Sequence, residues 1–524
     1  MDFFDYVIIG SGPSGVSAAR RLAGLKTCII DVGETAQTGF AYKTLSEAKA
    51  SGDVQGLLGH RFEMLSTIQA ATASHPKLRA AAVRHIMQGI PFHVRGAQGE
   101  TIVRGAGSYA QGGMSNVWGG QLLRYSEADL SHAGHWPFKA SVLEAYYEDL
   151  EKHIGISGEQ DDLYPFLGAA TDLMPPVPLV PAARHMLQAY KTVKAKNRKL
   201  DILLGRARLA IHTVNRGEQS AYPFGETEFF LSNQAGFYTA GRTLEQLRSS
   251  LDITYIGGHE LCAFQETDDY VELNVLDRAS GARRSVRTRH LLLGCGTLQT
   301  ARLVLLNKQG SKRSLPFMDH PPTLLPLFIP AMFGQRLPAN SFPVQLAATL
   351  DGVENCDMIS LYYPGAMLRS DLIPDIPLPA RNSIRLMNWL LAGMLVAQIW
   401  ETSRPSTNRL GLDENNDIVI DYPDRPSYGR LGKVISAFRA LGAYSHRSLA
   451  SMSLPGWGFH YAGCLPMRQA PSEFETHVDG RLWDSRRVRV IDGSVLPSLP
   501  GKNHSLTMMA NAARIADEAR QCGY

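Results

Sequence analysis

The stretch DYVIIGSGPSGVSAARRLAG, residues 5–24, predicts how the N-terminal part of the chain folds. An apolar strand, YVII, leads through the pattern Gly10-x-Gly12-x-x-Gly15 into a helix. Gly10 allows a tight turn, Gly12 allows the backbone to approach a pyrophosphate, and Gly15 lets the helix pack closely on the strand. The helix N-terminus then offers free N–H groups and the positive end of its dipole to phosphates.

A second apolar strand, TCIID, ends in Asp31 about twenty residues later, where a carboxylate can bind ribose hydroxyls. Strand, glycine loop, helix and acid together predict a dinucleotide-binding unit. The motif by itself does not distinguish NAD from FAD.

Length and composition limit the classes of protein that remain. At 524 residues the chain is too long for one compact core, so we expect two domains or one domain with a large insertion. A net charge of +4, broadly scattered, gives no reason to expect a nucleic-acid partner. The six cysteines show no CxxC spacing, so neither a metal site nor a disulfide framework is expected. The N-terminus, MDFFDYVIIG, has no room for a signal peptide and favours a cytoplasmic protein.

Two further segments have the pattern of a doubly wound sheet. HLLLGCGTLQTARLVLLN, residues 290–307, predicts a strand, a turn at Gly294 and Gly296, and a helix, and ligands bind at the carboxyl ends of such strands. Near the C-terminus the short strand VRVID precedes a final helix that begins directly after Asn503 and His504. These two side chains therefore lie at a helix N-terminus, which favours an anionic or polarised ligand atom.

The stretch LMNWLLAGMLVAQIW, residues 386–400, is nearly uncharged but too short for a membrane span. We expect a buried helix of a large core. An apolar wall beside the substrate entrance and a helix lying on a membrane surface are the alternatives.

Together with GGMSNVWGG (112–120), FMDHP (317–321) and HYAGCLPM (460–467), these segments resemble the glucose–methanol–choline (GMC) family of FAD-dependent oxidoreductases. The resemblance implies an α/β fold, α+β overall, in which a Rossmann-like FAD-binding domain carries an inserted substrate domain built on an antiparallel sheet. We expect the FAD-binding domain to comprise residues 1–159, 201–320 and 456–524, and the substrate domain residues 160–200 and 321–455.

The resemblance also implies how FAD is held. The loop 112–120 would pass along the flavin ring, and it lacks the histidine or cysteine that tethers the flavin covalently in some relatives, so non-covalent FAD is expected. Asp492 and Gly493 match a family segment near the pyrophosphate and ribityl chain. The cofactor-binding residues are then Gly10, Gly12, Pro13, Ser14, Gly15, Asp31, Gly33, Gly113, Ser115, Asn116, Trp118, Gly119, Gly120, Gly294, Gly296, Asp492, Gly493 and Leu506.

The catalytic residues follow from two family motifs. His460 opens HYAG and matches the first catalytic histidine, and the second catalytic residue, a histidine or an asparagine, lies four residues ahead of a threonine. Counting back from Thr507 gives Asn503, whereas a shift of one residue would give His504. We expect Asn503 to face the substrate and His504 to turn away or support it.

The chemistry expected is oxidation of a CH–OH group of a sugar, glycoside or other alcohol to a carbonyl. Flavin N5 accepts the hydride, His460 takes the proton as base, and Asn503 holds the substrate oxygen. The electrons then pass to oxygen, a quinone or another acceptor. The alternatives are a non-redox GMC-type lyase and a dehydrogenase that acts on a lipid-like or aromatic alcohol, with peripheral membrane contact through residues 386–400.

Overall fold

The computed structural model describes residues 3–35, 50–52, 86, 91–96, 99–103, 107–133, 136–196, 200–224, 235–250, 253–308, 314–336, 341–354, 357–364, 376–402, 407–423 and 429–522. Cys356 lies outside these residues, and Cys262, Cys295, Cys464 and Cys522 are free thiols. Within the described ranges, no cluster of three or more His, Cys, Asp or Glu side chains could hold a metal ion.

Strands and helices are numbered here in chain order over the described residues. The strands are β1 (Phe3–Ile9), β2 (Thr27–Ile30), β3 (Phe92–Gly96), β4 (Gly99–Val103), β5 (Ile156–Ser157), β6 (Leu173–Met174), β7 (Ile202–Arg206), β8 (Thr254–Ile256), β9 (His259–Glu266), β10 (Val271–Asp277), β11 (Arg283–Leu293), β12 (Ser314–Pro316), β13 (Met318–Asp319), β14 (Thr323–Phe328), β15 (Val344–Leu350), β16 (Met358–Tyr362), β17 (Met394–Trp400), β18 (Arg409–Leu412), β19 (Ile418–Tyr422), β20 (Ser451–Met452), β21 (Tyr461–Ala462) and β22 (Val488–Val490). The helices are α1 (Pro13–Leu22), α2 (Glu127–Ala133), α3 (Glu144–Ile154), α4 (Tyr164–Leu167), α5 (Pro181–Ala195), α6 (Ala240–Ser249), α7 (Thr297–Asn307), α8 (Ala380–Leu390), α9 (Leu431–Ala440) and α10 (Ser505–Gln521).

A seven-stranded sheet forms the centre of the predicted cofactor domain. Its strands β8, β2, β1, the second half of β11 and β22 run parallel, while β9 and β10 form an antiparallel extension on the first half of β11. Helix α1 connects β1 to β2 and packs on α10, where Val16 and Ala19 lie in one buried cluster with Ala512 and Ala516. The predicted strand–glycine loop–helix–strand unit is therefore confirmed.

The second large sheet is antiparallel and has six strands in the order β20-β14-β17-β16-β15-β7. One of its faces packs against α5 and α9, with Met186, Tyr190 and Phe438 in the shared core. The opposite face carries Trp400 on β17 and Tyr362 on β16. An antiparallel sheet in the second domain was expected, and the structure confirms it.

Strand pairing departs from the predicted segments in two places. Strand β7, expected in the FAD-binding part 201–320, pairs with β15 at the edge of the antiparallel sheet. Strands β18 and β19, expected in the substrate part 321–455, join β12, β3 and β4 in a five-stranded sheet whose apolar residues share the core of the seven-stranded sheet. Composition shifts along the chain could not reveal these pairings, because partners come from distant segments. The rest of the proposed division stays a prediction.

The expectation of one buried helix over residues 386–400 was wrong. Helix α8 ends at Leu390, a short 3₁₀ turn follows, and Met394–Trp400 is strand β17, hydrogen-bonded to β14 on one side and β16 on the other. A side chain at Gly393 would lie 2.5 Å from the Ile329 carbonyl oxygen, so the turn between helix and strand depends on that glycine. Among the described residues, no helix has the length and apolar character needed to cross a membrane.

Candidate active site

The three glycines of the first motif meet three different demands. Gly10 has a φ of +95°, and a Cβ there would lie 2.6 Å from the Gly294 carbonyl oxygen. A Cβ on Gly15 would lie 1.9 Å from the Gly10 carbonyl oxygen, so helix and strand pack too closely for any side chain. Around Gly12, by contrast, a Cβ would meet no atom within 4 Å. The space beside Gly12, at the N-terminus of α1, is where a pyrophosphate fits.

Asp31 is held at the end of β2 by hydroxyl groups. Its Oδ2 accepts hydrogen bonds from Ser11 and, at 3.4 Å, from Tyr255. Burial raises the pKa of Asp31 to about 6. Ser11 Oγ also accepts a 2.9 Å hydrogen bond from the Gly112 N–H, which ties the first motif to the loop 112–120. The predicted ribose-binding acid therefore lies beside the predicted flavin loop.

Within the loop 112–120, side chains hold the backbone in place. Ser115 Oγ donates to the Gly112 carbonyl oxygen at 2.6 Å and accepts from the Ala240 N–H at 2.9 Å. Asn116 donates to two loop carbonyls, and Trp118 donates to the Tyr238 carbonyl oxygen at 3.0 Å. The polar groups of these three side chains are therefore engaged in hydrogen bonds within the protein. The backbone at Gly113, which lies against Gly12, is the part of the loop free to approach a cofactor.

The segments around Gly294 and Asp492 are joined through one carboxylate. Asp492 accepts hydrogen bonds from the Gly296 N–H at 3.0 Å, from Thr300 Oγ1 at 2.5 Å, and from the Ser494 N–H and hydroxyl at 3.0 and 2.6 Å. The side chain therefore positions the end of β22 against the start of α7. Leu506 is fully buried in the core under α10, where its side chain packs rather than lining an opening.

A cluster of aromatic rings gathers around His460. Trp400 stacks on it, with ring centroids 4.5 Å apart and an interplanar angle of 22°. His504 lies edge to face at 5.2 Å, and His320 lies at 5.8 Å. His504 therefore does not turn away from the site, contrary to that part of the expectation. In the sequence, His320 lies in the segment FMDHP with no predicted role, and Trp400 is part of an apolar stretch.

Several buried polar atoms in this cluster have no hydrogen-bond partner within the described chain. They are Nδ1 of His320, His460 and His504, Oδ1 of Asn503, and Nε1 of Trp400. Buried polar groups in native proteins are almost always paired, so each exception calls for an explanation. Five such atoms in one place indicate a site that binds a polar ligand.

Burial keeps the histidines of the cluster neutral. The pKa of His460 falls well below 6.5, first because of burial and then because of His504 and His320. Burial also lowers the pKa values of His504 and His320 to about 4. His320 Nε2 lies 2.6 Å from the Glu401 carbonyl oxygen and therefore carries the proton, which leaves Nδ1 as an acceptor. Neutral imidazoles near pH 7 can accept a proton from a bound hydroxyl group.

Two buried acids support the loops that carry the cluster. Asp319 accepts hydrogen bonds from the backbone N–H groups of His320 at 2.8 Å and Gly456 at 2.7 Å, and burial raises its pKa to about 7. Asp129 forms an ion pair with Lys502, and each of these two side chains is only 1% exposed. Lys502 precedes Asn503, so this pair anchors the segment that leads into α10.

Comparison with known proteins shows what this chain is similar to. A family model described as GMC oxidoreductase matches residues 446–512, which include His460, Asp492, Asn503 and His504. Over 98% of the chain and 90% of the relative, the sequence is 24% identical to 6'''-hydroxyparomomycin C oxidase of Streptomyces lividus. Both matches support the resemblance to the GMC family of FAD-dependent oxidoreductases, which act on CH–OH donors.

Solved structures share the fold of this chain. A variant of formate oxidase from Aspergillus oryzae RIB40 superposes with a TM-score of 0.60 at 13% identity, covering 100% of this chain and 99% of the other. Pyridoxine 4-oxidase from Mesorbium loti superposes with a TM-score of 0.58 at 15% identity, covering 99% of each chain.

The residues of these segments fit FAD. The open space at Gly12 and the helix N-terminus suit the pyrophosphate, Asp31 suits the ribose, and the backbone at Gly113 can approach the flavin. A Cβ on Gly493 would lie 2.7 Å from the Tyr461 carbonyl oxygen and 3.8 Å from His504 Nε2. Because Gly493 follows Asp492, the cofactor segments and the histidine cluster meet at this residue.

Proposed function

We propose that this protein oxidises a hydroxyl group of a sugar or glycoside to a carbonyl, with non-covalently bound FAD. The observation that carries the proposal is the group of unpartnered buried polar atoms around His460, next to segments that fit FAD. The curated relative is named as an oxidase of a hydroxyparomomycin, and that name supports a glycoside as the class of substrate.

The roles of the residues follow from their chemistry. Bound FAD supplies the flavin that accepts the hydride. A ring nitrogen of neutral His460 takes the hydroxyl proton, and stacked Trp400 limits how far the imidazole can rotate. His504 and Asn503 hold the substrate oxygen, so that the carbon–hydrogen bond points to the cofactor. Burial of the site keeps water away from the reacting carbon.

Non-covalent attachment is proposed because the loop positions Ser115, Asn116, Val117 and Trp118 include no histidine or cysteine. Oxygen is the proposed electron acceptor, since the similar proteins are named as oxidases. A lipid-like or aromatic alcohol with a quinone acceptor is the second candidate, because Trp400 adds an apolar wall to the site. Any membrane contact through residues 386–400 would have to come from the end of α8, where Trp389 is exposed.

The test follows the visible absorbance of the purified protein without oxygen while sugars, glycosides, primary alcohols and aromatic alcohols are added in turn. We expect a sugar or glycoside to bleach the flavin band, and air to restore it quickly. Bleaching by aromatic alcohols alone would favour the second candidate, as would slow recovery in air. A flavin band that no alcohol bleaches would favour a non-redox relative. Flavin that stays with the protein after denaturation would contradict non-covalent attachment.

A further inference from the structure

A polar row lies on the face of the antiparallel sheet that also carries Trp400. Along β16, Ser360 and Tyr362 alternate with Ile359 and Leu361, which are buried in the core under α5 and α9. Met358 on β16 pairs with Trp400 on β17, so side chains in step with Met358 share the face of Trp400. Ser360 and Tyr362 therefore point to the same side of the sheet as the histidine cluster.

A chain of hydrogen bonds orients the hydroxyl group of Tyr362. Ser360 Oγ donates to Gln121 Oε1 at 3.0 Å, and Gln121 Nε2 donates to the Tyr362 hydroxyl oxygen at 3.4 Å. Ser360 and Gln121 are almost completely buried, so water does not compete for these two hydrogen bonds. Since Tyr362 accepts from Gln121, its own O–H remains a donor, and it has no acceptor within the described residues.

This hydroxyl lies against the loop that we assign to the flavin. A Cβ on Gly119 would lie 3.4 Å from the Tyr362 hydroxyl oxygen. Tyr362 is partly exposed, and so is Gln398, which pairs with Ser360 and whose amide makes no hydrogen bond in the described chain. Four residues of strand separate Met358 from Tyr362, which is about 13 Å at the usual rise per residue. Tyr362 therefore lies at the far end of this row from Trp400, and Gln398 lies between the two.

We propose that Tyr362 and Gln398 form a subsite for an oxygen-bearing second ring of the substrate, and that Tyr362 donates a hydrogen bond to a hydroxyl or ring oxygen there. This inference rests on the proposed function. The Ser360–Gln121 pair positions Tyr362, and Gly119 leaves room for its hydroxyl. A one-ring substrate held at His460 does not reach the Tyr362 hydroxyl, whereas a glycoside of two or more rings does.

The test compares Tyr362→Phe with Tyr363→Phe. Tyr363 is a matched control because it follows directly in the chain and packs in the core on the opposite face of the sheet. Anaerobic flavin reduction is measured with methyl glucoside, maltose, maltotriose and paromomycin. For Tyr362→Phe we expect kcat/KM to fall about tenfold for the best multi-ring probe through a higher KM, the scale of one lost hydrogen bond. Methyl glucoside should change less than about twofold by the same argument, and Tyr363→Phe should match the native protein.

Three results would overturn the subsite while leaving the proposed function in place. They are an equal loss for one-ring and multi-ring probes, no loss with any probe, and a native enzyme that does not prefer multi-ring probes. If no sugar, glycoside or other alcohol bleaches the native flavin, the proposed function itself fails, and the subsite fails with it. Gln121→Leu supplies a second variant, which should reproduce the rise in KM because it leaves the Tyr362 hydroxyl unoriented.

Discussion

The imidazole of His504 lies edge to face with that of His460, with the ring centroids 5.2 Å apart. The two rings come from different motifs, one from the loop that opens HYAG and one from the residue that precedes α10. Motif spacing pointed to Asn503 as the partner of His460, whereas the contact in the fold is made by His504. Both Asn503 Oδ1 and His504 Nδ1 are buried without a hydrogen-bond partner among the described residues, so we assign both side chains to the proposed site.

Replacing His460 by alanine should slow flavin reduction by roughly a hundredfold or more while FAD stays bound, because a general base is lost. Stopped-flow absorbance without oxygen measures this rate, and the flavin spectrum measures FAD content. His446→Ala, which removes an exposed histidine, is the control and should reduce at the native rate. A normal rate in His460→Ala would mean that another group takes the proton.

His504→Ala should slow reduction more than Asn503→Ala. His504 contacts the ring of the proposed base, His460, and so helps to position it, whereas Asn503 supplies one amide oxygen to the site. Single-turnover reduction of the two variants, with the same substrate and at saturating concentration, gives the ranking. The opposite ranking would restore the assignment made from sequence spacing.

Alanine at Gly12 and alanine at Gly15 should have different effects. At Gly15 the new Cβ would lie 1.9 Å from the Gly10 carbonyl oxygen, so Gly15→Ala should impair folding and yield little soluble protein. At Gly12 the Cβ meets no protein atom and the backbone has a φ of −66°, so Gly12→Ala should fold with native circular dichroism. Its FAD dissociation constant should rise about tenfold or more, because the methyl group occupies the space for the pyrophosphate. Native FAD affinity in Gly12→Ala would exclude that position for the phosphates.

Lys502→Met should lower the free energy of unfolding by about 3–5 kcal/mol, since it leaves Asp129 buried without its countercharge. Denaturant unfolding at neutral pH measures the change. Lys502→Met combined with Asp129→Leu should recover most of the loss, because the double variant buries no charge at this position. A loss below about 1 kcal/mol in the single variant would show that the pair contributes little.

His320 should make stability depend on pH. Its pKa is about 4 in the folded protein and near 6.5 in an unfolded chain, so between these values only the unfolded chain binds the proton. Stability is therefore complete above pH 6.5 and falls as the pH drops toward 4, by up to about 1.4 kcal/mol per pH unit.

His320→Gln removes the titrating imidazole and with it this pH dependence. Between pH 6.5 and pH 4, the native protein should therefore lose unfolding free energy relative to the variant, by up to the slope given above. Asp319, whose pKa is raised to about 7, acts with the opposite sign, because its stabilisation is lost as the pH rises through 7. Asp319 is present in both proteins, so its contribution cancels when the unfolding free energies of the native protein and His320→Gln are subtracted. Parallel stability curves for the two proteins from pH 6.5 to 4 would contradict a neutral buried His320.

Features set by neighbours in the chain were predictable from the residues alone. The glycine loop between β1 and α1, the acid at the end of β2 and the helix after Asn503 and His504 all depend on short-range geometry. Gly15 illustrates the reason, because it contacts Gly10, which precedes it by only five residues. By contrast, an apolar run such as residues 386–400 suits a helix or a strand equally well, and only hydrogen bonding to β14 and β16 decided in favour of a strand.

The sequence by itself therefore determined the dinucleotide-binding unit and named His460, Asn503 and His504 as candidates, since motifs record local backbone and side-chain demands. Only the tertiary structure decided that His504 contacts His460, that Trp400 stacks on it, and that β7 and β19 pair outside their predicted segments. Those contacts join residues far apart in the chain. They form through ring packing or through backbone hydrogen bonds between strands, and no local pattern specifies the partner.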